Sequence, residues 1–369
     1  MNILLDIGHP AHVHLYRNFY SEMVKRGHEI TVTVKDIPAA TLLLDYYRIP
    51  YIIIGKRGST IAGKGINQLK FNFKLLSIVY DKKIRIGVGS SISNCHVSRI
   101  SSMKSILFDD DDDEVQPLMT RFGHPFAHCV LSPDALKGKR RKKDTIYYPG
   151  YHELAYLHPA RFKPDKSVLD EAEIKEGESF FILRFNAFKA HHDVGIRGLS
   201  VENKRDLVHF LSDFGKVIIT TENEPDDELQ PYILKIAPHR IHSLLYYSEM
   251  FIGDSQTMTS EAAVTGTPSL RCNSFAGRIS YLQEQEDKYG LTFSFKPDQY
   301  NIMKEKIRNL LNNKQLKEEW KEKKLRMLKD KIDVTAFMVW FVENYPESCR
   351  IINKNPDFQY NFAQDLKTE

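Results

Sequence analysis

The sequence predicts an α/β protein of two Rossmann-like, doubly wound parallel-sheet domains followed by C-terminal helices. Three observations carry this. The chain has 369 residues, beyond the roughly 250–300 at which one hydrophobic core stops growing. Short apolar runs alternate with stretches of helical period, as in a parallel sheet covered on both faces. The alternation stops near Tyr148-Pro149-Gly150 and restarts at Phe180.

Asn2 to Ile7 reads as a buried strand, and a Gly-His-Pro turn follows at Gly8 to Pro10. Tyr16, Phe19, Tyr20, Met23 and Val24 then fall on one helical face. Gly27 suits the position just past that helix, and Ile30 to Val34 is the second strand. Tyr51 to Ile54, Ile84 to Val88, Ser105 to Phe108 and Cys129 to Leu131 continue the pattern. In the second half, Phe180 to Phe185, Lys216 to Thr220, Met250 to Gly253 and Ser269 to Arg271 read as strands. Helices near 201–213, 240–248 and 257–265 separate them. The expected boundaries are residues 1–160 for the first domain, 161–178 for a Pro- and charge-rich linker and 179–330 for the second domain. Residues 331–369 form a C-terminal helix and tail. The apolar stretch Ala336 to Val342 must dock on a domain surface or serve an interface, because it cannot stay solvated.

Composition narrows the function. Hydrophobic residues make up 42% and charged residues 27%, which excludes a disordered chain. A net charge of +4 does not mark a dedicated nucleic-acid binder. Cys95, Cys129, Cys272 and Cys349 form no C-x-x-C pair, so the spacing suits neither zinc nor a disulfide framework, and a reducing compartment fits. No signal peptide is read at the start, and no apolar run approaches the ~20 residues that span a bilayer. The expected location is cytoplasmic, with peripheral contact at the inner face of the membrane as an option.

Two consecutive α/β domains predict a ligand cleft with chemistry in the loops after the strands. The first loop, Asp6 to His14, carries His9, His12 and His14 just before a helix. A neutral imidazole at His12 could take a proton from a hydroxyl, or bond a carbonyl or anionic group. A capped turn with surface histidines is the bland alternative. The Gly55 to Gly65 loop, with Lys56, Arg57 and Lys64, lacks the spacing of a phosphate-binding Walker loop. It is an acceptor-binding loop or simply a flexible one. The acidic run Asp109 to Glu114 follows a strand, where Asp109 and Asp110 could supply a base or hold a cation, unless the run is only solvated. The basic run Lys137 to Lys143 is a solvated loop or a contact for anionic headgroups or a phosphorylated acceptor.

In the second half, Arg184 and Lys189 could neutralise a diphosphate, and His191, His192 and Asp193 could orient a sugar. Gly253 to Pro268 gives the sharpest signal. A strand ends at Gly253, a Ser/Thr-rich turn opens a helix whose free N–H groups favour phosphate, and Glu261 lies one to two turns inside. An ordinary capped helix with Glu261 in water is the alternative.

This segment resembles the Asp-Ser-Gly-Gly-x-x-Glu-Glu-Ala signature of non-hydrolysing UDP-N-acetylglucosamine 2-epimerases. It also resembles the donor site of GT-B glycosyltransferases, including the one that forms lipid II. Asp254, Ser255, Glu261 and Ala262 match, while Gln256-Thr257 replaces the glycine pair. The resemblance implies that Ser255 binds the diphosphate and Glu261 the ribose, and that His12 is the family's catalytic or acceptor-facing histidine. The whole chain is similar to the domain of unknown function 354 family of predicted glycosyltransferases. The matching stretches are Asp6 to His14, Tyr148 to Pro159, His192 to Gly198, Gly253 to Gly266 and Arg271 to Ser280. This family implies a GT-B architecture with the two domains facing a cleft. The Asp run after Phe108 departs from its pattern.

The expected function is transfer of a sugar from a nucleoside-diphosphate sugar, UDP-linked by preference, to a glycan or lipid-linked acceptor in cell-surface polysaccharide synthesis. The expected catalytic residues are His12, His9 and Asp109. Donor-binding residues are Arg184, Lys189, His192, Ser255, Gln256, Thr257 and Glu261, and acceptor-binding residues are His14, Lys56 and Arg57. No metal, other cofactor or nucleic acid is expected. A nucleotide-sugar 2-epimerase using Asp109, Asp110 and His192 is the second reading, and a non-catalytic nucleotide-sugar binder is the third.

Overall fold

The computed structural model describes all residues except 57–60, 186–197, 222–225, 235 and 364–369, and only the backbone of 61–66 and 221. Arg57, Lys189, His191, His192 and Asp193 therefore lie outside the described residues. The chain forms two units: Met1–Tyr156 with Lys331–Glu369, and Leu157–Asp330.

The first unit holds seven parallel strands: β1 (Asn2–Ile7), β2 (Glu29–Lys35), β3 (Tyr51–Gly55), β4 (Ile86–Gly89), β5 (Lys104–Phe108), β6 (Cys129–Pro133) and β7 (Ile146–Tyr148). Their order is β3-β2-β1-β4-β5-β6-β7. The strands read as continuous apolar runs because helices cover both faces of the sheet. Leu4 packs with Leu75, Val79, Ile84, Val97 and Met103 in one core cluster. The helix Pro10–Lys25 ends as its sequence predicts, with Gly27 at φ 81°.

The last segment completes this unit. Helix Val334–Glu343 is capped by Asp333, which accepts from Ala336 N at 3.0 Å. Phe337 lies 5.7 Å from the Tyr148 ring, and Thr335 Oγ1 donates to the Ala155 carbonyl at 2.7 Å. The apolar stretch Ala336 to Val342 thus docks intramolecularly, on the first unit. Cys349 brings its sulfur within 3.8 Å of Cys129, and both are free thiols.

The second unit holds β8 (Phe180–Phe185), β9 (Lys216–Thr221), β10 (Met250–Gly253), β11 (Ser269–Cys272) and β12 (Thr292–Phe295). These are parallel in the order β12-β11-β10-β8-β9. Residues 161–178, expected as a linker, contribute Val168, Ala172 and Ile174 to this unit's core beside Phe180, Ile182 and Phe251. The stretch is polar on its outer side only. Among the described residues no helix is long and apolar enough to cross a membrane.

Candidate functional site

In each sheet the winding reverses once, between β1 and β4 in the first and between β8 and β10 in the second. Ligands of such sheets bind outside the carboxyl ends of the strands at the reversal.

At the second unit's reversal, Gly253 pairs with Arg184. A Cβ on Gly253 would sit 2.4 Å from the Arg184 carbonyl oxygen, so only glycine lets the two strand ends run this close. Asp254 N then donates to that carbonyl at 3.1 Å, and Asn273 donates to the Asp254 carbonyl at 2.7 Å. The turn so fixed opens helix Gln256–Thr265. Ser255 is its N-cap and accepts from Met258 N at 3.3 Å. The N–H groups of Gln256 and Thr257 come from the first turn, which has no preceding carbonyls to bond, and both residues are half-buried. Arg184 is half-buried at the end of β8. Glu261 points inward rather than to water. It is 4% exposed, and His242 Nε2 lies 2.9 Å from its Oε1. His242 is supplied by helix Ile241–Tyr247 and meets Phe162 edge-on.

At the first unit's reversal, Gly89 has φ 152°, and a Cβ there would lie 2.7 Å from the Asp6 carbonyl oxygen. Asp6 is buried and accepts from Thr33 at 2.7 Å and from Ser91, which joins β1 to β2 and to the helix after β4. His9 caps the helix Pro10–Lys25, its Nδ1 accepting from Ala11 N at 3.2 Å. His12 Nδ1 accepts from Gly8 N at 3.2 Å. A backbone N–H can only donate, so a neutral His12 ring carries its proton on Nε2, which is then a donor. His14 is buried, with its ring 5.5 Å from Tyr156 and 6.2 Å from Tyr47. Lys56 is exposed and lies 3.5 Å from Asp36.

The acidic and basic runs meet each other. Asp109 is buried, with His124 Nε2 at 2.6 Å from its Oδ2. Arg140, 3% exposed, donates to the carbonyls of Asp109 and Asp111 at 2.6 and 2.5 Å, to Ser132 at 2.9 Å and to the Asp113 carboxylate at 2.8 Å. Burial pushes the Asp109 carboxyl up, but Arg140 and the bond from His124 outweigh it and hold the pKa near 2, at about 2. Asp111 goes the other way, raised by burial and by its neighbours Asp110 and Asp109. Neither run is simply solvated, because a buried guanidinium and buried carboxylates need each other. Lys137, Lys139, Arg141 and Lys143 remain exposed. Ligand atoms of Asp109, Asp110 and Asp111 lie within 4.8 Å of one another, a spacing compatible with a cation.

Sequence reasoning gave no role to His152, whose Nδ1 lies 3.1 Å from Asp110 Oδ2. The signal was its place just after β7, a strand too short to read from periodicity. It also missed His242 as the partner of Glu261, since nothing in the spacing joins them.

A relative, the uncharacterized protein MJ0665 of Methanocaldococcus jannaschii, is 22% identical over 307 residues, which cover 78% of this chain and 86% of that protein. Among solved structures the chain is similar to a UDP-N-acetylglucosamine 2-epimerase (14% identity, TM-score 0.61, 100% of this chain and 98% of that one). It is similar as well to S. aureus MnaA in a co-structure with UDP (11%, 0.62, 100% and 99%). A third is the Streptomyces sp. SF2575 glycosyltransferase SsfS6 complexed with thymidine diphosphate (11%, 0.60, 93% and 99%). At these identities the likeness is one of fold, a GT-B architecture that epimerases and glycosyltransferases share. The narrower resemblance to the lipid II-forming enzyme finds no support among them. The model of the family described as "Protein of unknown function (DUF354)" matches residues 1–346, and the chain belongs to that family.

Proposed function

We propose that the protein is a glycosyltransferase. It moves a sugar from a nucleoside-diphosphate sugar, with UDP the preferred nucleotide, to a hydroxyl of a glycan or lipid-linked acceptor in cell-surface polysaccharide synthesis. The observation that carries this is the turn after β10, where a fixed strand end launches a Ser255-capped helix with Glu261 inside it. On this reading the N–H groups of Gln256 and Thr257, with Ser255 and Arg184, hold the diphosphate. Glu261 accepts from the ribose hydroxyls, and His242 fixes its carboxylate. His12 donates to an anionic or carbonyl group of the ligand. Developing charge on the leaving diphosphate is met by helix N–H groups and cations, so no metal is required and chelation leaves turnover intact. The exposed lysines of 137–143 lie against anionic headgroups when the acceptor is lipid-linked.

The test is thermal stability against a panel of nucleotides, since a ligand bound only by the folded state raises the melting temperature by mass action. A nucleoside diphosphate stabilises the wild type. Glu261→Gln, which keeps a bond to His242, weakens that ligand about tenfold or more, the worth of a hydrogen bond to a charged group. Wild-type indifference to every nucleotide sinks the reading. Epimerisation is the second reading, favoured by the buried histidine–carboxylate pairs of the first unit. Interconversion of the donor with no acceptor present would establish it.

A further inference from the structure

Two of the four cysteines are packing groups. Cys95 and Cys272 are buried, and burial pushes both thiols up to about 12, so they are inert. Cys129 and Cys349 differ. Cys129 opens β6, where it pairs with Ile106 of β5. Cys349 lies in the first turn of helix Glu347–Lys354. The fold brings them together across 220 residues of chain and sets their sulfurs 3.8 Å apart. A disulfide bond measures about 2.05 Å, so a closing movement of about 1.8 Å joins the two sulfurs. Among the described residues no third metal-binding side chain joins them, and the pair lacks the ligand set of a zinc site.

The pair is asymmetric. Cys129 is buried, whereas Cys349 is half-buried, so a small oxidant meets Cys349 first. When Cys349 is a thiolate, the Cys129 S–H donates to it. With the Cys349 backbone N–H, this outweighs burial and Asp144, and the Cys349 pKa is lowered. The same contact, with burial, raises Cys129. The accessible sulfur is the one that ionises first, and the thiolate is the reactive form.

We propose that Cys349 and Cys129 are a peroxide-reactive pair that closes to a disulfide and clamps the C-terminal segment onto the first sheet. The pair lies wholly in the first unit and does not depend on the transfer reaction. The Cys349 thiolate attacks an oxygen of hydrogen peroxide. The O–O bond breaks, Cys349 becomes a sulfenic acid, and the departing hydroxide takes up a proton to leave as water. The Cys129 sulfur then attacks the Cys349 sulfur and gives up its proton. The S–S bond forms, the S–O bond breaks, and the oxygen leaves with that proton as a second water. The two thiols lose two electrons, and the peroxide gains them. Sulfenic acids condense with a neighbouring thiol in this way, and thiol exchange reopens the bond. In a reducing compartment such a disulfide is transient and redox-sensing.

The clamp acts on a segment that the first unit holds by packing alone. Phe337 lies against the Tyr148 ring, and Gln359 donates to the Tyr147 carbonyl at 3.0 Å. A cross-link restricts the unfolded chain, more so for a longer loop. Closing 220 residues should raise the melting temperature of the first unit by about 4–16 °C.

The full-length protein, reduced and then treated with hydrogen peroxide, tests the proposal. Remaining thiols are blocked, and the peptides are read by mass spectrometry without reduction. The expected product joins the Cys129 and Cys349 peptides within one chain, lighter by two hydrogens, while Cys95 and Cys272 stay reduced. Dithiothreitol should restore both the mass and the original melting temperature, which separates the disulfide from methionine oxidation. Cys349→Ser, at the half-buried position, should lose the cross-link and the rise in melting temperature with the fold intact. Cys129→Ser should leave Cys349 as a sulfenic acid that dimedone captures. Oxidation of Cys349 to the sulfinic or sulfonic acid with no link to Cys129, or a link to another cysteine or another chain, overturns the pair. A Cys129–Cys349 link that leaves the melting temperature unchanged overturns the clamp.

Discussion

Arg140→Met removes a guanidinium while keeping most of the volume of its side chain. In the wild type that guanidinium satisfies two backbone carbonyls, the Ser132 hydroxyl and the Asp113 carboxylate, and it lies 3.4 Å from Asp109 Oδ2. An exposed ion pair is worth about 0–1 kcal/mol. Removing one partner of a buried pair costs about 3–5 kcal/mol, because the remaining charge stays buried without compensation. At 3% exposure the second figure applies, equivalent to about 6–20 °C in melting temperature for a unit of this size. Thermal unfolding followed at two pH values tests the reasoning. The folded pKa of Asp109 is depressed from 3.8 to about 2. Its stabilising contribution is therefore complete above the unfolded value and is lost as pH falls through the folded one. In the variant, the bond from His124 still opposes burial at Asp109, but without Arg140 the buried charge is held less well, and its cost is relieved on protonation. The gap between wild type and variant should be wide at pH 7 and narrower at pH 3. A loss below about 1 kcal/mol, or a gap that does not narrow in acid, would refute the account of the two charge runs as one buried network.

Two further outcomes follow from the second unit. His242→Ala removes the partner 2.9 Å from the buried Glu261 carboxylate and should cost about 1–3 kcal/mol in chemical denaturation, with Glu261→Gln in the same background recovering part of it. Gly253→Ala places a methyl 2.4 Å from the Arg184 carbonyl oxygen. It should cost about 1–3 kcal/mol and weaken nucleoside diphosphate binding, because it displaces the turn that starts the helix. Calorimetry showing full affinity in Gly253→Ala would separate that turn from the ligand.

The strands that sequence made legible are apolar runs bounded by turn residues. β1, β8 and β10 fall where the apolar runs lie, because both their faces are buried. β7 and β12 escaped because three or four residues that share their apolar character with neighbouring loops carry no readable period. Docking of residues 336–342 followed from their inability to stay solvated, but the unit they dock on did not. The partners Tyr148 and Ala155 are some 180 residues away in sequence. Charge runs were the hardest to read. Asp109 to Asp113 read as a base, a cation site or a solvated run, and Lys137 to Lys143 as a solvated loop or an anion contact, and only the adjacency of β5 and β6 in the sheet brings them together. The Ser255 cap was legible from the Ser/Thr turn after an apolar strand. The direction of Glu261 was not, since a helix of small residues gives no amphipathic face to orient it.

The return of the C-terminal segment to the first unit has a consequence for how the chain is made. A ribosome adds about 5–20 residues per second, so residue 331 emerges roughly 10–35 s after residue 156. During that interval the nascent first half carries an uncovered apolar face at Tyr148, awaiting Phe337. The second unit, continuous from Leu157 to Asp330, has its whole sequence available before then. The half that is synthesised first is therefore the half that is finished last.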